Sequence, residues 1–82
     1  MKASIEISYY PLTAQYGTAI LKFIKRLKTY PNLEIHSNTM SSQIFGEYDD
    51  LMDILKEEMK TTFEEGDDTV MVLKIANLDL RP

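Results

Sequence analysis

The sequence predicts an α+β domain of order β-α-β-β-α-β, a four-stranded sheet carrying two helices on one face. Three observations predict it. Four segments alternate apolar and polar residues, two segments between them repeat apolar residues at helical spacing, and the breaks fall at Pro11, Tyr30-Pro31-Asn32 and Gly66. Eighty-two residues are expected to form one domain, spanning 1–82.

Lys2 to Tyr10 sets Ala3, Ile5, Ile7 and Tyr9 on one side and Glu6, Ser8 and Tyr10 on the other. That is a half-buried strand, ended by Pro11, which has no N–H for the ladder. From Thr13 to Tyr30 the period changes. Ile20, Phe23, Ile24 and Leu27 line one helix face with basic residues between them, and Thr13 or Thr18 is the candidate cap. Leu33 to Asn38 alternates again, with Leu33 and Ile35 inward and Glu34, His36 and Asn38 outward. Thr39 to Ser42 reads as a short connection. Gln43 to Tyr48 forms a third strand, Ile44 inward and Gln43, Phe45 and Glu47 outward.

Asp49-Asp50 opens the second helix, where acids suit the positive end of the dipole. Leu51, Met52, Leu55, Met59 and Phe63 mark its buried stripe, and Gly66 is its C′ glycine. Thr69 to Ala76 is the fourth strand, with Met71, Leu73 and Ile75 inward and Val70, Val72 and Lys74 outward. Asn77 to Pro82 carries no strong signal.

This order fits the split-βαβ, ferredoxin-like motif, expected here as a mixed parallel and antiparallel sheet with the first and third strands central. The face away from the helices would present Glu6, Ser8, Tyr10, His36, Asn38, Gln43, Phe45, Glu47, Val72 and Lys74. That set is too apolar for an idle solvent face and too polar for a core, so it reads as an interface or a site at one.

Composition narrows the function classes. Without cysteine there is no disulfide frame, thiolate metal site or cysteine nucleophile, which fits a reducing cytoplasm. A net charge of −4 argues against a nucleic-acid footprint. No apolar run approaches the roughly 20 residues of a membrane span, and the N-terminus has no signal pattern. A chain this short buries only about 60% of its unfolded surface, so self-association into a homo-oligomer is expected. Charge is uneven: Lys22, Lys25, Arg26 and Lys28 fall in an acid-free stretch, whereas acids crowd 47–68, Asp67 among them.

Catalytic and metal signatures are thin. The single histidine, His36, has no G-x-S-x-G partner and no second ligand at metal spacing. The three glycines build no phosphate loop. Tyr10 and Phe45 could stack bases, but the third strand lacks the basic and glycine pattern of an RNA-binding strand.

Ser8-Tyr9-Tyr10-Pro11-Leu12, then Met40-Ser41-Ser42-Gln43-Ile44-Phe45-Gly46-Glu47-Tyr48-Asp49, then Leu73-Lys74-Ile75 form an ordered set covering nearly the whole chain. In that set the chain resembles the small thiamine-binding protein family, the YkoF-like group. The resemblance implies a ferredoxin-like protomer in dimers or tetramers, binding thiamine or its hydroxymethylpyrimidine moiety without catalysis or cofactor. Ser8 matches the family's strand-one hydroxyl, Glu6 its acid, Ser42 the hydroxyl after the methionine turn, and Gly46-Glu47 its Gly-Glu pair. Phe45 departs from the acid many relatives carry, and the last strand lacks their hydroxyls.

The candidate ligand-binding set is therefore Glu6, Ser8, Tyr10, Asn38, Met40, Ser41, Ser42, Phe45 and Glu47, expected to meet near the strand ends. Carboxylates and hydroxyls satisfy an aminopyrimidine at roughly 1.5–3 kcal/mol per charge-assisted bond. Tyr10, Phe45 or Tyr48 offers a face to the thiazolium cation. Glu6 either touches ligand or pairs with Lys74. Two other classes stay open: a small cofactor-free enzyme using His36, and a structural or regulatory oligomerisation domain.

Overall fold

The computed structural model describes residues 1–66 and 68–82; Asp67 of the acidic run lies outside the described residues. Its elements are β1 (Lys2–Pro11), α1 (Tyr16–Leu27), β2 (Glu34–Ser37), β3 (Ser42–Glu47), α2 (Tyr48–Glu64) and β4 (Thr69–Ala76). The sheet runs β2-β3-β1-β4, so β1 and β3 are central and the ferredoxin-like architecture holds. The expected mixed sheet is corrected: every neighbouring pair is antiparallel. Each helical crossover does return the chain parallel to the strand before it. Another strand lies between the two, however, so no parallel pair is adjacent.

Alternation and helical periodicity meet in one core. Ala3, Ile5 and Ile7 of β1 and Ile44 of β3 pack against Phe23 and Leu27 of α1 and Leu51 and Leu55 of α2, all buried. Each of the larger side chains fully removed from water contributes roughly 1.5–3 kcal/mol before entropy is counted. Gly46 sits where the turn after α1 closes on the sheet. A Cβ there would lie 3.1 Å from Leu33 Cδ2 and 3.2 Å from the Asn32 carbonyl oxygen. Gly66, at φ 114°, takes the left-handed conformation that ends α2.

Several expectations shift. Pro11 belongs to β1, paired with Thr69, because β3 pairs only as far as Ile7 and position 11 has β4 alone beside it. Neither threonine caps α1: Thr13 Oγ1 accepts from the Gln15 N–H at 3.4 Å, and Thr18 lies inside the helix. Phe63 is about half exposed, and Thr62 takes its buried place. The reason is Arg26 of α1, whose guanidinium donates to Glu58 Oε2 at 2.7 Å and to Thr62 Oγ1, turning that edge of α2 inward. Tyr30 Oη donates to the other Glu58 oxygen at 2.7 Å, and Lys22 and Arg26 both reach Glu65. Part of the basic and acidic runs is thus neutralised between the two helices. Ile75 is also about half exposed, because the helices lie chiefly over β1 and β3.

The segment after β4 is ordered by the sheet. Beyond Ala76 the chain crosses the open face over the row Ala76, Ser4, Phe45 and Glu34. Ser4 Oγ donates to the Leu78 carbonyl at 2.7 Å and accepts the Leu80 N–H at 2.8 Å. Arg81 lies 6.0 Å over the Phe45 ring and bonds Glu34 Oε1 at 3.1 Å. This strap buries Phe45 to 4% exposure.

Candidate functional site

A concave site forms where β1 outruns its partner. Beyond the Ile7–Ser42 pair, residues 8–11 have no β3 beside them, and α1 does not begin until Tyr16. The gap between α1, the end of β1 and the 38–41 turn is a cavity of about 420 Å³. Ile7 and Ser42 line it from the sheet, and Tyr9, Tyr10, Tyr16 and Phe23 supply aromatic walls. The Tyr9 and Phe23 rings meet at 5.3 Å, tilted by 51°. Leu12, Tyr16 and Met40 rim the mouth and are largely exposed.

Its polar groups are few and placed. Asn38 Oδ1 accepts the backbone N–H groups of Met40 at 2.8 Å and Ser41 at 3.0 Å, so this side chain shapes the turn. Ser42 is buried on the helix side, its Oγ 2.9 Å from Ser37 Oγ. One hydrogen joins the two hydroxyls, leaving a second hydrogen and acceptor capacity for a bound molecule.

The candidate set divides by position along the strands, with the cavity at the end where β1 outruns β3. Tyr10, Asn38, Met40, Ser41 and Ser42 line the cavity. Glu6, Ser8, Phe45 and Glu47 do not, so the expected meeting of the whole set is corrected. Ser8 lies on the open face beside Val72. Phe45 lies under the strap. Glu47 pairs with Lys2 in register, at the opposite end of β3 from Ser42, a run of roughly 17 Å at about 3.3 Å per residue. Its carboxylate binds the N-terminal ammonium at 3.1 Å and Lys2 at 3.5 Å, and the ammonium holds it below the usual carboxylate range.

Glu6 sits on the open face with Lys74 Nζ 3.3 Å from Oε1 and Ser41 Oγ 3.0 Å from Oε2. The Ser41 bond, then Lys74, keeps its carboxyl below the usual range. The pairing reading of Glu6 is the one the geometry shows. His36 is exposed at the β2 edge, outside the cavity, its Nε2 2.6 Å from Glu34 Oε2 and its ring edge-on to Phe45 at 5.7 Å. Among the described residues no group of three or more His, Asp or Glu gathers to hold a metal, and no helix is long and apolar enough to cross a membrane.

The aromatic wall was missed in part. Tyr16 lies four residues before Ile20 and eight before Ile24, on the face the periodicity had already marked. Tyr9 is in phase with Ile5 and Ile7.

No family model and no curated protein matches this chain. Solved structures do. A Streptococcus pneumoniae protein aligns at TM-score 0.86 and 29% identity, over 98% of this chain and 90% of that one. A Methanocaldococcus jannascii protein described as hypothetical aligns at 0.80 and 28%, over 99% and 84%. A Thermotoga maritima protein, provisionally assigned to thiamine biosynthesis or salvage, aligns at 0.81 and 18%, over 99% and 85%.

Proposed function

We propose that this chain binds thiamine or its hydroxymethylpyrimidine moiety, without catalysis, as a homo-oligomeric cytoplasmic module. The observation that carries the reading is the cavity: aromatic walls, an exposed apolar mouth and the buried Ser42 hydroxyl, bonded to exposed Ser37, at its sheet side. Its volume of about 420 Å³ falls in the roughly 300–1,000 Å³ range of small-molecule sites. An aminopyrimidine presents an amino donor and ring-nitrogen acceptors on a flat apolar body. In this reading the body stacks between tyrosines while Ser42 meets an edge nitrogen. The thiazolium cation lies toward the mouth, against the faces of Tyr10 and Tyr16, at about 0.5–2 kcal/mol per contact.

Two further facts support it. The ordered motif set brings its methionine-serine turn to this cavity, and one structural neighbour carries a provisional thiamine assignment. Association with a second copy is supported by the uncovered part of the open face. There Val70 and Val72 stand together on β4, each about half exposed, with Ser8 of β1 beside Val72.

Calorimetric titration of the purified chain with thiamine, and then with hydroxymethylpyrimidine, tests the reading. Saturable micromolar binding that Tyr16→Ala weakens at least tenfold is expected. No heat with either compound would overturn it.

A further inference from the structure

The lip of the cavity is held from the far side of the sheet. Ser41 ends the 38–41 turn and lines the cavity, yet its Oγ donates to Glu6 Oε2 at 3.0 Å on the open face. Gln43 Nε2 donates to Ser41 Oγ at 3.1 Å and to the same Glu6 oxygen at 3.4 Å. Lys74 Nζ holds the other oxygen from β4 at 3.3 Å. One carboxylate on β1 thereby ties together the turn, the start of β3 and the edge strand.

Apart from the Ser37–Ser42 pair that closes it, no other such tie to the sheet restrains the turn among the described residues. Among the described residues its other hydrogen bonds are internal, from Met40 and Ser41 N–H to Asn38 Oδ1 and from Asn38 N–H to the Ser41 carbonyl at 3.0 Å. Met40 is 82% exposed and anchors it to no core. A turn stiffened internally, closed by the β2–β3 ladder at Ser37–Ser42 and held laterally at one point gains freedom when that lateral tie is cut. Glu6, Gln43 and Lys74 also line a second cavity of about 290 Å³ on the open face, which Leu80 of the strap borders. The two cavities therefore meet in one hydrogen-bond network.

We propose that Glu6 is a positioning residue, latching the 38–41 turn from the open face and so setting how firmly the helix-side cavity holds its ligand. The proposal rests on that cavity being the binding site. It gives the open face a role in binding without any open-face residue touching the ligand. Lys74 orients the latch from β4, and His36 is the titratable neighbour in the same row on β2.

The test is a double-mutant cycle on the whole chain with two readouts. Glu6→Ala removes the acceptor, and Ser41→Ala cuts the same tie from the other side. In each, 15N backbone order parameters at Thr39–Ser41 should fall from about 0.85 toward 0.6, while those of β1 and β3 stay put. Thiamine should bind roughly tenfold more weakly, through faster dissociation. The double variant should lose no more than either single one. Lys74→Ala, which leaves the Ser41 bond, should show a smaller loss of the same sign. Unchanged order in both single variants would overturn the latch whether or not the wild type binds thiamine. Lower order with unchanged affinity would overturn its link to binding. A wild type that binds no thiamine would refute the proposed function, and the order parameters would still decide the latch.

Discussion

Replacing Ser4 with alanine tests how the strap after β4 is held. Ser4 Oγ makes two bonds to that segment's backbone, one donated to Leu78 and one accepted from Leu80, at 2.7 and 2.8 Å. Ser4 is only 7% exposed, so water does not replace those bonds while the strap stays in place. A neutral hydrogen bond contributes about 0.5–1.5 kcal/mol net, which puts Ser4→Ala at about 1–3 kcal/mol. The upper end applies if the strap stays down with its Leu78 and Leu80 groups unpaired. Peeling away lets those groups find water but uncovers Phe45, so relief is partial. The assay is urea unfolding followed by circular dichroism, with hydrogen exchange read at the Leu80 amide. The midpoint should fall at unchanged slope, and the Leu80 amide should lose its protection. A loss under about 0.5 kcal/mol with the Leu80 amide still protected would show that Ser4 does not hold the strap.

The remaining predictions concern packing, pH and the site. Gly46→Ala forces a methyl against the Asn32 carbonyl and Leu33, and should cost about 1–3 kcal/mol in the same unfolding assay. Glu6, Glu34, Glu47, Glu58 and Asp79 all have carboxyls held below their ordinary values by hydrogen-bonding and cationic partners, His36 first among them for Glu34. Their folded state releases protons more readily, so this stability is present above the unfolded values near 4 and is lost as pH falls through the lowered ones. Denaturation midpoints measured from pH 6 to 2 should therefore decline mainly below about pH 4.5. Tyr30 runs the other way. Its bond to Glu58 raises its pKa above 10.0, so it keeps its contribution below that pH and loses it as pH rises through the raised value. Ser42→Ala should weaken thiamine binding about tenfold, whereas Glu47→Ala, at the far end of β3, should leave it unchanged by calorimetry.

The fold was legible because its signals are local and repeated. Ala3, Ile5 and Ile7 alternate, Phe23 and Leu27 recur at helical spacing, and both patterns point to one core. The strap was not legible, since its anchor is one hydroxyl more than 70 residues away in sequence and no periodicity in 77–82 announces it. Strand parity did hold information about the site. Ser42 is two residues from inward-facing Ile44, which puts it on the helix side, and Ser41 and Gln43 alternate to the open face with Glu6. Glu47 is separated by the antiparallel register, which seats it beside Lys2. Grouping Ser42 with Glu47 follows sequence proximity where alternation and register decide. The cavity itself depends on β1 continuing past the start of β3 while α1 starts late, a relation between three elements that no single segment encodes.

The most direct test of the account is an NMR titration of labelled protein with thiamine, reading the Met40 methyl and the backbone amides. Saturable shifts are expected at Tyr16, Met40 and Ser42, with Glu47 and the Ser8–Val72 row unmoved. A spectrum that does not change, or shifts confined to the open sheet face, would contradict it.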